Sequence, residues 1–184
     1  MNLIGTKTIE TERLILRQFS LEDAEAMFAN WASDPEVTKY LTWQTHGSVE
    51  DSRLILSEWV KHYGEGGFFE WAIELKEIGQ PIGSIGVVAL DERVGGAELG
   101  YCIGRAFWGR GIMLEALNAV IDFFFDEVGA NRITAKHDAE NPKSGRVMAK
   151  AGMLCEGTCR RGGCNNRGII DVVCYAILRG DWTK

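Results

Sequence analysis

Gly109-Arg110-Gly111 stands between a strand-like run, Ala97 to Gly104, and a mostly apolar helical pattern, Ile112 to Val128. A strand that ends in a glycine-rich turn and runs into a helix offers backbone N–H groups and the positive end of the helix dipole to whatever lies above it. That is the chemistry of a phosphate site. A dinucleotide fingerprint of the G-x-G-x-x-G kind needs glycine at 114, where Leu114 stands, and the next acidic residues fall inside the helix. Taken alone, the glycine pair also fits a plain strand-to-helix connection. Other groups that could move protons are Glu98, on the strand leading to the turn, and Glu70 and Glu74, alternating on a neighbouring strand. Asn141-Pro142 reads as a helix start, with Asn as N-cap and Pro at the first helical position, and Ser144 lies in the first turn. His46, His62 and His137 have no catalytic spacing. Cys155, Cys159 and Cys164 lack the paired C-x2-C form of a zinc site. With Cys102 and Cys174 the cysteines number five, which fits buried or loop thiols in reduced form better than a disulfide framework.

The elements that must position these groups are a mixture. Alternation of Leu14 and Leu16 with charged neighbours predicts a first strand, and Ser20 with Asp23 opens a helix through about Trp31. Ser48 to Tyr63 is a second helix, with Leu54, Ile55, Trp59 and His62 on one side and Gly64, Gly66 and Gly67 ending it. Three strands follow as a meander, Phe68 to Leu75, Pro81 to Leu90 and Ala97 to Gly104. After the long helix come a strand (Arg132 to His137), a short helix (Pro142 to Ala151) and two final strands, Met153 to Thr158 and Ile169 to Leu178.

At 184 residues with 46% hydrophobic content, the chain is read as one domain, residues 1 to 184, with one substantial core. No apolar stretch approaches the roughly 20 residues needed to span a bilayer, and the first residues carry no signal-peptide core. The reading is a cytoplasmic protein without membrane contact. Residues 1–131 hold 10 basic against 21 acidic side chains, whereas residues 132–167 hold 8 against 3. A polyanionic cofactor and a cationic acceptor could be drawn to different parts of such a surface. A pI near 5.2 disfavours nucleic acid.

The run Glu98-Leu99-Gly100-Tyr101 to Phe107-Trp108-Gly109-Arg110-Gly111 resembles the GNAT acetyltransferases, specifically the Rim-type branch that acetylates ribosomal-protein N-termini. So do Thr11-Glu12-Arg13-Leu14-Ile15-Leu16-Arg17, Asn141-Pro142-Lys143-Ser144 to Gly152-Met153, and Glu156-Gly157-Thr158 to Asp171 and Tyr175. The likeness runs in order over nearly the whole chain. It departs from the general signature at Trp108, common in the Rim-type branch, and at Met113, where Gly or Ala is usual.

The resemblance implies an α/β fold with a mixed, mostly antiparallel central sheet flanked by helices, and acetyl-CoA as cofactor. Its diphosphate would rest on the turn Gly109, Arg110, Gly111, Ile112, Met113 and Leu114, with Met113 affecting the fit. Its pantetheine arm, bearing amides, would pair along Tyr101, Cys102 and Ile103 as an added strand, and a backbone N–H there could stabilise the oxyanion. Asn141 would face the arm near the thioester. Ser144 would protonate the leaving thiolate, with Tyr175 the weaker candidate. Glu98 is expected as general base, directly or through water. An α-amine, at about 7.7 to 8, supplies neutral nucleophile more readily than lysine at about 10.4, so a protein N-terminus is the expected acceptor. Alternatives are a small amine (polyamine, aminoglycoside or amino acid) and a non-catalytic acyl-CoA-binding module. The acceptor pocket is expected from residues 31–68 and the final hairpin, in a monomer or homodimer. No metal and no covalent acetyl-enzyme are expected, since no Cys-His pairing is evident.

Overall fold

Alternating apolar residues give the chain its first ordered pair, β1 (Ile9–Glu10) and β2 (Leu14–Arg17), with Leu14 and Leu16 fully buried. The computed structural model describes residues 1–182. The Ser20–Asp23 capping interaction forms as expected, Ser20 N–H donating to Asp23 Oδ2 at 2.8 Å. The segment it starts takes three pitches in turn: a 3-10 turn (Leu21–Asp23), α1 (Ala24–Met27) and a wide π-type turn (Phe28–Ala32). A short α2 (Pro35–Thr38) follows, capped by the Asp34 carboxylate. Neither β1 nor α2 is foreseen from the sequence, because two- and four-residue elements carry too little periodicity.

Helix α3 (Val49–His62) begins at Ser48, where Asp51 reaches back to the Ser48 N–H. Its buried face differs from the expected one: Ser52 and Leu56 are inside, with Trp59 packed beside them, while Leu54 and Ile55 face solvent. Positions 52, 56 and 59 follow the i, i+4, i+7 stripe that meets Phe19 and Trp31; Leu54 and Ile55 lie off it.

The meander is β3 (Glu70–Leu75), β4 (Gln80–Asp91) and β5 (Gly96–Ile103). Helix α4 (Ile112–Phe123) continues as a π-type turn to Val128 and stops at Gly129, whose φ is 75°. Then come β6 (Arg132–Asp138), α5 (Pro142–Lys150), β7 (Leu154–Asn165) and β8 (Gly168–Leu178). The eight strands form one sheet in the order β1-β2-β3-β4-β5-β6-β8-β7, antiparallel throughout except for β5 with β6. This is the expected mixed, mostly antiparallel architecture. β7 is longer than expected, so Cys159 and Cys164 sit in a strand rather than a loop. Pairing with β8 recruits a Cys-, Arg- and Gly-rich stretch that has no apolar alternation of its own.

The two faces carry separate cores. One packs α4 and α5 over Trp71, Ile73, Ile85 and Leu99, with Phe69, Trp71, Phe123 and Phe124 in mutual edge and tilted contacts. The other packs α1 and α3 over Ala72 and Cys102. Between the cores, β5 and β6 pair only from Gly96↔Arg132 to Leu99↔Ala135. Beyond that point β5 stays with β4 and β6 stays with β8, so the strands part and the sheet opens at Gly100.

Candidate active site

The glycine turn has the geometry its sequence implies. Gly109 and Gly111 both lie at φ 74°, a backbone state that only glycine enters without strain. Helical hydrogen bonding begins with Glu115 N–H donating to Gly111 O at 3.1 Å. The amides of Ile112, Met113 and Leu114 precede it, so they point out of the helix end. Met113 buries its side chain in the core and gives the turn only its backbone. From below, Arg13 braces the loop: its Nη1 donates to Arg110 O at 3.0 Å and its Nε to Glu115 Oε2 at 2.6 Å. Desolvation pulls the Glu115 carboxyl upward, but donations from Thr11 and from Arg13 backbone and side chain outweigh it and hold the group ionised below its usual range.

Residues Gly100, Tyr101, Cys102 and Ile103 make up the part of β5 that β6 leaves unpaired. This is a bare strand edge directly upstream of the turn, with room for an added strand. The Ile103 carbonyl already accepts the Trp108 indole N–H at 2.8 Å, so pairing by Ile103 is limited on that atom. Side chains alternate across the edge. Tyr101 points to the α5 face, where its hydroxyl accepts from Ser144 Oγ at 3.1 Å and lies 3.2 Å from Ser144 O. Burial pushes the Tyr101 hydroxyl up to about 12. Asn141 occupies the N-cap position of α5, yet its side chain makes no capping hydrogen bond, which leaves it able to face the gap. Tyr175 sits against the His137 ring, 5.7 Å between centroids, and is not part of the Tyr101–Ser144 pair.

The opposite face of the same edge carries Glu98, Gly100 and Cys102. Glu98 is bound by Lys136 of β6, Nζ to Oε2 at 2.6 Å. Glu74 is held by Arg17, which also grips Asp23. Among the described residues no cation pairs with Glu70; burial, opposed by a hydrogen bond from Ser84, pushes its carboxyl up to about 8. Burial likewise pushes the Cys102 thiol up to about 11, which makes it a poor nucleophile. All five cysteines are free thiols; Cys155, Cys159 and Cys164 are exposed on β7, and Cys159 and Cys174 lie 3.9 Å apart.

One end of this face is roofed by the tip of the final hairpin. Asn166 Nδ2 donates to the carbonyls of Thr38 (2.9 Å) and Trp43 (2.7 Å), and Gln44 Nε2 donates back to Asn166 Oδ1 at 2.7 Å. Residues 38–44 and the hairpin tip are therefore joined into one wall. Its base is Asp138, buried, which accepts from Glu140 N, Asn165 Nδ2 and Arg167 Nη1, each at 2.9 Å. Desolvation would raise this carboxyl, but those donations outweigh it and hold it low. A depressed carboxylate stabilises the fold above its unfolded pKa of about 3.9, and that contribution fades as pH falls through the folded value. Arg167→Ala is accordingly expected to destabilise the protein at pH 7. Denaturant unfolding should show the gap from wild type narrowing as pH falls below about 4; a constant gap would mean that Arg167 acts by packing on Tyr40 instead.

The structure thus brings Tyr101 and Ser144 together on one face of the unpaired edge, with Asn141 at the start of the same helix α5, puts Cys102 and Glu98 on the other face, and starts α4 at the turn Gly109 to Leu114. Sequence reasoning missed Lys136, the hydroxyl role open to Tyr101 and the Arg13 brace. Only the position of Arg13 in the resembling Thr11–Arg17 block could have flagged any of them.

Comparison with known proteins gives the same direction. Residues 13–154 match the family model described as acetyltransferase (GNAT) domain. An uncharacterized N-acetyltransferase of Bacillus licheniformis is 35% identical over 176 residues, covering 96% of this chain and 98% of the relative. The ribosomal protein uS5-alanine N-acetyltransferase of Escherichia coli is 28% identical, covering 95% and 92%. Among solved structures, a GNAT-family acetyltransferase from Bacillus anthracis superposes with a TM-score of 0.82 at 28% identity, covering 95% and 99%.

Proposed function

Because this chain belongs to the GNAT acetyltransferase family, we propose that it transfers an acetyl group from acetyl-CoA directly to a primary amine, and that the acceptor is a protein N-terminal α-amine. The observation that carries the donor half is the unpaired edge Gly100–Ile103 standing over a turn whose two glycines are at φ 74°. Such a turn suits a diphosphate, and such an edge suits an amide-bearing arm. Acetyl-CoA supplies an activated thioester carbonyl whose thiolate leaves readily. Glu98, ion-paired with Lys136, meets the acceptor amine from the far face, directly or through water. Ser144 and Tyr101, hydrogen-bonded to each other beside the gap, supply the proton that ends on the departing sulfur. Support for an N-terminal acceptor is the ease with which an α-amine loses its proton near neutral pH, together with the relative that acts on a ribosomal-protein alanine.

The test is mass spectrometry of acetyl transfer to a panel of N-terminal peptides, polyamines, aminoglycosides and amino acids. Peptide α-acetylation is expected; transfer confined to small amines replaces the acceptor half, and binding without transfer replaces the enzyme with an acyl-CoA-binding module. Binding is read separately. Acetyl-CoA at about 100 times its Kd contributes roughly 2.7 kcal/mol to stability, which for a chain of this size is a rise of roughly 5–10 °C in Tm; no shift at millimolar acetyl-CoA overturns the donor assignment. Ser144→Ala is expected to lower kcat by less than about tenfold, because a thiolate needs little help to leave.

A further inference from the structure

The row of residues that crosses the sheet beside the opening has an unusual composition. Glu70 of β3 pairs with Gly86 of β4, and Gly86 with Gly100 of β5, so all three side-chain positions share one face. Two of them are bare backbone. A Cβ built on Gly86 would fall on Oε2 of Glu70, so the carboxylate lies flat over Gly86 instead of standing up from its own strand. Directly opposed positions on neighbouring strands are roughly 5 Å apart at Cβ. The carboxylate therefore ends roughly 5 Å from the side-chain position of Gly100, the first residue of β5 beyond its pairing with β6, where the exposed Val88 of the β4 bulge puts its Cγ1 2.9 Å from a Cβ built on Gly100.

Building on the acetyl-transfer reading above, we propose that Glu70 is the base that takes the proton of the acceptor amine, its carboxylate laid across Gly86 toward the point where β5 and β6 part. The division of labour follows from the partners. Glu98 is already paired with Lys136 and is suited to hold an ammonium; among the described residues no cation pairs with Glu70, which is suited to accept a proton. The groups that face Glu70 are Ser84 from β4, Cys102 from β5 and Tyr63 from the end of α3, whose hydroxyl donates to the Glu70 backbone carbonyl at 2.9 Å. All three are neutral at physiological pH. With its carboxyl near 8 and an α-amine at about 7.7 to 8, transfer between them is nearly balanced in energy, the condition for an effective general base.

The step balances as follows. The ammonium gives one proton to Glu70, and its nitrogen attacks the thioester carbon. The C–N bond forms as the C–S bond breaks, and the second nitrogen-bound proton reaches the sulfur by way of the Ser144–Tyr101 hydroxyls. Glu70 then releases its proton to solvent.

Glu70→Gln and Glu70→Asp in the full chain provide the test, read as kcat and acceptor KM for a peptide from pH 6 to 10, with the acetyl-CoA thermal shift as the control for folding. Glutamine preserves volume and removes a costly buried carboxylate, so the variant should fold. Expected are a fall in kcat of about 10²-fold for Glu70→Gln with acceptor KM within threefold, and a smaller fall for Glu70→Asp, whose carboxylate is withdrawn by one methylene. The wild-type kcat should level off above about pH 8, whereas the Glu70→Gln rate should be lowest below pH 8 and recover part of its deficit by about pH 9, where the α-amine arrives already neutral. A Glu70→Gln enzyme within threefold of wild type across the range overturns the inference while leaving acetyl transfer intact. Loss of the acetyl-CoA shift in both variants makes Glu70 a structural residue and overturns it too. A wild type that transfers to no amine overturns the parent reading and this one together.

Discussion

Gly111→Val is expected to weaken acetyl-CoA binding by roughly 10²- to 10³-fold while leaving the protein folded. Gly111 sits at φ 74° as the N-cap of α4, and valine at such an angle costs about 1–2 kcal/mol and is relieved by moving the backbone. The nearest atom to an added Cβ is Arg13 Nη2 at 3.7 Å, so the protein interior raises no clash. The damage falls on the amides of Ile112, Met113 and Leu114, which would no longer converge on one point. Losing two hydrogen bonds to a charged group, each worth about 1.5–3 kcal/mol, accounts for the expected factor. Gly129→Val is the matched control. Gly129 ends the same helix at φ 75° with open space around it, so it carries the same backbone strain on the side away from the turn. Calorimetric titration with acetyl-CoA should separate the two variants; equal losses would mean that Gly111 matters only for stability, and unchanged affinity in Gly111→Val would mean that the diphosphate rests elsewhere.

This turn could be read from the sequence because its information is local: two glycines, a preceding strand and a following apolar helix lie within about 30 residues. The Ser20–Asp23 and Ser48–Asp51 caps were legible for the same reason. Three features of the site were not. Glu70 lies over Gly86 only because β3 and β4 pair in one particular register, and register depends on how both strands meet the rest of the sheet. Tyr101 and Ser144, 43 residues apart, meet across the gap between β5 and α5. Lys136 follows the expected alternation on β6, yet nothing in its sequence neighbourhood says that β5 lies alongside to bring it to Glu98. The buried face of α3 was misread on a finer point. Leu54, Ile55, Trp59 and His62 lie close enough in sequence to suggest one side, but only the stripe through Leu56 and Trp59 meets Phe19.

Glu98→Gln is expected to lower kcat/KM for a peptide acceptor by roughly 10²- to 10³-fold at pH 7 with acetyl-CoA affinity nearly unchanged, because the proposed mechanism gives the carboxylate to the acceptor amine and leaves the cofactor to the glycine turn. Two effects combine in the variant. The acceptor ammonium loses its counter-charge, and Lys136, previously neutralised by Glu98 at 2.6 Å, is left as a like charge on the same path. Loss of attraction and new repulsion in a half-buried gap together account for about 3–4 kcal/mol, the size of a truncated partner in a desolvated pair. Both effects act on the ammonium only. Raising the pH to about 9, where an α-amine is mostly neutral, should therefore recover part of the loss. Removing the stranded cation should recover another part, so Glu98→Gln with Lys136→Met should outperform Glu98→Gln alone at pH 7. A double variant no better than the single one would remove Lys136 from the account, and a Glu98→Gln enzyme with wild-type kcat/KM from pH 6 to 9 would show that the acceptor amine approaches without touching Glu98 at all.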